Sequence, residues 1–207
     1  MKKKIIITGG LGYIGTELCK LYSGVSWHHQ IVVIDNRFIS ERVNQIRNWN
    51  MEFIYGDILD KTLIKKYCED ADVVHHLAGI TDVPRTKSET SKHQDEKINE
   101  VAKKGTQNIL DVISDQCKII FPSTHVVYEG IGEVKTDIKE EEDTKPILSY
   151  STSKAINEEQ LKKSGKNYVI LRLGSVYGYS SDSMRIDIMP NLFSKIASQN
   201  GTLKLFA

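Results

Sequence analysis

The sequence predicts an α/β fold, a doubly wound parallel sheet followed by the beginning of a smaller C-terminal unit. Three observations carry that prediction. Short runs that are apolar at successive positions recur along the chain, as in parallel strands covered on both faces. Stretches with helical spacing lie between them. A glycine-rich loop follows the first apolar run directly and opens a helix-like segment. Strand, helix and strand repeated in this way imply a parallel sheet, and right-handed crossovers leave few topologies for it.

Each element has its own justification. "KIIIT" (4–8), "IVVID" (31–35), "DVVHHLA" (72–78), "KIIFPS" (118–123) and "YVILRL" (168–173) read as strands, with "MEFIYGD" (51–57) as a weaker candidate. Ile98, Val101, Ala102, Gly105, Ile109, Val112 and Ile113 step by three and four, which predicts a long helix. "SYSTSKAINEEQLKK" (149–163) predicts another, with Lys154 and Glu158 one turn apart. In the tail, Pro190 starts a helix-like "PNLFSKIAS". Asn200–Gly201 then turns the chain into a last short strand, "TLKLF". There is no internal repeat and no low-complexity segment.

Composition narrows the class of function. The chain has 207 residues, 40% of them hydrophobic and 27% charged, with a net charge of +1. No bulk field therefore draws it to nucleic acid, and "MKKK" and "KEEED" (139–143) read as solvated surface. The apolar run after the first lysines is too short for the core of a signal peptide, and no stretch approaches the length of a membrane span. Three cysteines, Cys19, Cys68 and Cys117, are widely spaced without a CxxC, which fits a reduced cytoplasmic compartment. The pairs His28–His29 and His75–His76 suggest no metal site, because neighbours on a strand point to opposite faces.

The loop "TGGLGYIG" (8–15) places Gly9, Gly12 and Gly15 at GxxGxxG spacing. The first glycine allows a tight turn, the second lets backbone approach a pyrophosphate, and the third permits close helix–strand packing. The helix N-terminus that follows supplies free N–H groups. At the end of the second strand, Asp35 can accept both hydroxyls of an adenosine ribose and would repel a 2′-phosphate, favouring NAD over NADP. Arg37 lies close enough to blunt that preference. The plain alternative for Asp35 is a turn-forming residue before Asn36. Gly56–Asp57 brings a second carboxylate to the same sheet edge, within reach of an adenine.

With these residues, "HHLAG" (75–79), "PSTHVVY" (122–128), "YSTSK" (150–154) and "LRLGSVYG" (171–178), the chain resembles the extended short-chain dehydrogenase/reductase family of nucleotide-sugar epimerases and dehydratases. The motifs occur in family order across nearly the whole chain. The resemblance implies a Rossmann fold that binds NAD. The backbone at Tyr13 and Ile14 would meet the pyrophosphate, and Asp35 with Asn36 the ribose. Asp57 and Ile58 would flank adenine, and Leu77, Ala78 and Gly79 would line the nicotinamide side. Ser123 would fix the strand end or the nicotinamide. Thr124, Tyr150 and Lys154 would be catalytic, with Tyr150 and Lys154 also touching the cofactor. It further implies a nucleotide-sugar substrate and a homodimer through two helices per subunit, near residues 92–113 and 149–163. Residues 1–174 would form the NAD-binding domain and 175–207 part of a substrate-binding region. The family's chains run on past the equivalent of "LKLFA", so the chain reads as truncated at its C-terminal side.

The chemistry asks for these residue types. Oxidising a sugar alcohol needs a base for its proton while hydride leaves to the nicotinamide. A tyrosine titrates near pH ~10, too high to serve unaided. Lys154, one turn beyond Tyr150, offers a cation that together with the nicotinamide ring can lower that value, and it can hold the ribose hydroxyls. Dehydratases of the family place an Asp and a Glu directly after the Thr; here those places hold His125 and Val126, which disfavours a 4,6-dehydratase. A 4-epimerase needs only Tyr, Lys and Thr. A keto-sugar reductase and an NAD-binding module without turnover are the alternatives. His125 reads as an additional acid or a polar neighbour. The family's usual Asn, Pro and second Asn are here Ala102, Tyr179 and Ser175.

Overall fold

The computed structural model describes residues 1–81, 92–180 and 184–204. Six parallel strands form one sheet, in the order β3-β2-β1-β4-β5-β6. They are β1 (Lys4–Thr8), β2 (Gln30–Asp35), β3 (Glu52–Tyr55), β4 (Val73–His76), β5 (Lys118–Thr124) and β6 (Asn167–Leu173). The helices are α1 (Tyr13–Ser23), α2 (Ser40–Asn48), α3 (Lys61–Cys68), α4 (Lys92–Val112), α5 (Ser149–Lys163) and α6 (Met189–Ser198). The strand order reverses between β1 and β4, and in open α/β sheets that switch point opens a crevice at the carboxyl ends of the strands.

Alternation along each strand divides the core into two layers. On one face Ile6, Val32, Ile34, Val74, Ile119 and Phe121 pack with Ile64, Cys68, Ile109, Leu110 and Leu161 from α3, α4 and α5. On the other, Ile5, Ile7, Ile31, Val33 and Phe53 pack with Cys19, Val43 and Ile46 from α1 and α2. All three cysteines are buried free thiols. Burial pushes Cys19 and Cys68 up to about 12 and Cys117 up to about 11.

The weak strand candidate forms β3, and α5 spans the same residues as its helical pattern. The final strand is a correction. Residues 202–204 are not strand, and 205–206 lie outside the described residues. The Asn200–Gly201 turn does form, with Asn200 at φ 57-like left-handed geometry (φ 54). A lone extended segment gains nothing from its backbone groups without a neighbouring edge, and the sheet ends at β6. Among the described residues no helix is long and apolar enough to cross a membrane.

Candidate active site

The glycine loop is shaped by close approaches. Gly9 sits at φ +72, and a Cβ there would meet the Ala78 backbone N at 2.7 Å. At Gly15 a Cβ would run into the Gly9 carbonyl and the Gly10 Cα. At Gly12 the nearest atoms are the Gly9 carbonyl at 3.2 Å and the Arg37 guanidinium at 3.7 Å. The loop is thus pressed between β4 and α1 with its middle glycine beside an arginine.

Asp35 ends β2 almost fully buried, 5% exposed, and binds the loop from below. One oxygen accepts from the Leu11 N–H at 2.9 Å; the other accepts from the Arg37 N–H at 3.0 Å and Nε at 3.3 Å. Arg42 donates to the Leu11 carbonyl. Asn36 donates through Nδ2 to Asp57 at 2.9 Å, and Asp57 accepts from the Leu59 N–H at 2.9 Å. Asn108 of α4 donates to the Ile58 carbonyl at 3.0 Å. Asp35 therefore does more than make a turn: it ties the ends of β1 and β2 together at the cleft.

Across the switch point, the paired histidines do face opposite ways. His75 meets the Tyr22 hydroxyl of α1 at 2.8 Å. His76 is bridged between Thr8 Oγ1 at Nδ1 and Thr106 Oγ1 at Nε2, each at 3.0 Å. The Ala78 N–H donates to Thr8 Oγ1 at 3.2 Å, which fixes the Leu77–Ala78–Gly79 turn against β1. Complete burial holds His76 neutral, with its pKa down at about 3, helped by the nearby Lys154 charge. Among the described residues no three His, Cys, Asp or Glu side chains gather as metal ligands.

The cluster Ser123–Thr124–His125 is a strand end rather than a surface turn. Ser123 and Thr124 are the last residues of β5, both buried. Thr124 caps a 3-10 turn over His125–Tyr128, accepting from the Val126 N–H at 3.3 Å. Its hydroxyl acts on the Tyr150 phenol, favouring the phenolate. The Ser123 hydroxyl donates to Glu158 at 2.5 Å. His125 is exposed, with Nδ1 at 3.1 Å from the Leu173 carbonyl; a carbonyl only accepts, so Nδ1 carries the proton.

Lys154 is 8% exposed and donates to the Pro122 carbonyl at 2.8 Å. Its ammonium lies 4.5 Å from the centre of the Phe121 ring and 5.9 Å from that of Tyr150. Burial lowers its pKa to about 8. The Tyr150 phenol shifts the other way. Burial raises it above the ordinary value, and Arg185 and the Thr124 hydrogen bond only partly offset that.

One cleft of about 1050 Å³ gathers these groups. Gly9, Gly12, Tyr13, Ile14 and Gly15 line it at the loop, and Asp35, Asn36, Asp57 and Ile58 at the β2–β3 end. Leu77, Ala78 and Gly79 line its middle, and Ser123, Thr124, Tyr150 and Lys154 its far end. Two wall residues, Glu129 and Arg185, escaped the sequence reading. Glu129 accepts from the Ile147 and Leu148 N–H groups, both at 2.7 Å, and from Ser151, so it caps α5, whose own N-cap residue Leu148 offers no side chain for the task. Arg185 acts on the phenol. Tyr13 donates its hydroxyl to the Gly178 carbonyl at 2.6 Å, tying the loop helix to the C-terminal segment. No spacing rule joins such distant positions.

Comparison with known proteins agrees with this geometry. The chain is 33% identical over 187 residues to a putative UDP-glucose 4-epimerase of Methanocaldococcus jannaschii, covering 86% of this chain and 57% of that protein. It is 29% identical over 197 residues to dTDP-D-glucose 4,6-dehydratase of Dictyostelium discoideum, covering 85% of this chain and 44% of that one. The structure of UDP-glucuronic acid 4-epimerase from Bacillus cereus, in complex with UDP-glucuronic acid and NAD, superposes with a TM-score of 0.75 at 28% identity, over 99% of this chain and 66% of that one. The chain thus spans about half the length of the two curated relatives. The model of the NAD dependent epimerase/dehydratase family matches residues 5–206, and with the Rossmann sheet, the glycine loop and the Tyr150–Lys154 pair in one cleft, the chain belongs to that family.

Proposed function

We propose that the chain is the cofactor-binding and catalytic part of an NAD-dependent nucleotide-sugar epimerase acting by reversible hydride transfer at a sugar carbon. The observation that carries this reading is that Thr124, Tyr150 and Lys154 line the same cleft as the glycine loop. NAD fits the residues present: backbone N–H groups at the start of α1 would hold a diphosphate, and the Asp35 carboxylate would hold a ribose. When bound, NAD accepts and returns the hydride. Tyr150 would take the proton of the reacting hydroxyl, Thr124 would orient that hydroxyl, and Lys154 would hold the nicotinamide ribose and favour the phenolate. Since Val126 cannot transfer a proton, elimination of water has no acid–base pair directly after Thr124, which favours epimerisation over dehydration.

The proposal divides the chain into a cofactor-binding domain, 1–174, and part of a substrate-binding region, 175–207. It includes a cytoplasmic location, which the buried thiols suit. It includes a homodimer through α4 and α5, whose outer surface carries a shallow apolar depression beside Pro146, Ala155 and Ile156; sedimentation as a monomer at high concentration would remove that part. The test of the function uses purified protein. Released nucleotide should be NAD, and UDP-sugars should be interconverted. Tyr150→Phe should cut turnover by about 10²–10⁴-fold with NAD affinity nearly unchanged. Preferential NADP binding, or equal turnover in the variant, would overturn the reading.

A further inference from the structure

Tyr150, Lys154 and Glu158 recur every fourth residue along α5 and share one stripe of it. Glu158 is 1% exposed. Its carboxylate accepts from Ser123 Oγ at 2.5 Å and from Arg172 through Nε at 3.0 Å and Nη2 at 2.6 Å. Ser123 and Arg172 are register partners on β5 and β6, so they meet Glu158 side by side. Arg172 is itself anchored by Tyr128 and by the Glu140 carbonyl at 2.8 Å. Lys162 reaches the same carboxylate only at 3.9 Å and is 44% exposed.

Lys154 precedes Glu158 by one turn, a spacing at which a lysine and a glutamate ordinarily pair. It does not do so. Its ammonium goes to the Pro122 carbonyl, with His76, neutral, and the Tyr150 phenol as the other titratable neighbours. A buried carboxylate deprived of its cation is among the costliest arrangements in a protein interior. With Arg172 removed, Lys154, buried and one turn away on the same stripe of α5, is a cation that can turn to Glu158.

We propose that Arg172 is a positioning residue: its fork occupies Glu158 and so leaves Lys154 available to Tyr150 and to a cofactor ribose. The inference rests on the functional reading above for the consequence, not for the geometry. It separates two roles that a salt bridge can play. A mere clamp between α5 and β6 is broken by losing either partner. A decoy for the carboxylate fails only when Arg172 is lost and Glu158 is kept.

The experiment compares Arg172→Met, Glu158→Gln and the double variant, by ligand-free crystal structures and by calorimetric titration with NAD. Arg172→Met should move Lys154 Nζ from the Pro122 carbonyl to Glu158 and weaken NAD by about tenfold. Glu158→Gln should leave Lys154 in place and NAD affinity within about twofold, and the double variant should recover it to the same extent. Glu158→Gln or the double variant weakening NAD as much as Arg172→Met overturns the proposal. So does Lys154 staying on Pro122 in Arg172→Met, with Glu158 protonated or turned to Lys162. Should Arg172→Met fail to fold, Arg172→Gln takes its place, since it keeps a donor and removes the charge. Wild type that binds no NAD would sink the functional reading, while the position of Lys154 in the crystals still decides this one.

Discussion

Strands β2 and β6 read alike in sequence and live differently in the fold. Both are apolar parallel strands, "QIVVID" and "NYVILRL", yet five of the six β2 residues are buried and none of the seven in β6 is. β2 lies inside the sheet between β3 and β1, with helices over both faces, whereas β6 is the last strand and leaves Val169 and Leu171 substantially exposed on the side away from α5. The β2 end of the cleft is consequently held by apolar packing and tight glycine contacts. The β5 end is held by charge: Glu158 with Arg172 across α5 and β6, and Glu129 at the start of α5. Packing fixes a site at every pH where the chain is folded; ionic ties place it under the control of single carboxylates.

That contrast can be broken most directly by equal truncations in the two strands. Ile34→Ala should lower unfolding free energy by about 2–5 kcal/mol, because Ile34 is 1% exposed. Leu171→Ala, at a residue 42% exposed, should cost less than about 1 kcal/mol. Urea denaturation of both variants measures the difference, and equal losses would mean that β6 is covered in solution.

A second, smaller effect is pH dependence at the joint between the halves. His76 is held at about 3 against an ordinary 6.5, so between those values the unfolded chain takes up a proton that the folded chain refuses. Stability should therefore be intact above pH 6.5 and fall as pH drops towards 3, by up to roughly 3 kcal/mol at pH 4. His76→Gln should flatten that slope in denaturant midpoints taken across the range; an unchanged slope would assign the acid sensitivity to other groups.

The smallest effect concerns the exposed arginine beside the buried aspartate. Arg37 is 55% exposed and pairs with Asp35 at 3.3 Å, offsetting part of the charge that would repel a 2′-phosphate. Arg37→Ala should widen the preference for NAD over NADP by no more than about fivefold. Competition titrations with the two nucleotides measure the ratio, and a narrower preference would show that Arg37 contributes to discrimination instead.

Residues close in sequence made most of this site legible. The glycine loop, the Asp at the end of β2, the Tyr–Lys pair one turn apart and the hydroxyl at the end of β5 are local patterns, and each sits on the element its pattern implies. Glu158 could be read one turn beyond Lys154. Its partner could not, because Ser123 and Arg172 become neighbours only through the register of β5 with β6. Glu129 was equally hidden, since a cap supplied from 19 residues upstream has no sequence signature.

The sequence by itself determined the alternation of strands and helices, the carboxyl-end crevice and the types of residue that enter it, because periodicity and turn chemistry act over a few residues. Tertiary structure alone decided which apolar strands are buried, where the Lys154 ammonium points and which carboxylate it avoids. Those outcomes depend on competition among groups far apart in the chain, and burial makes each such choice expensive to reverse.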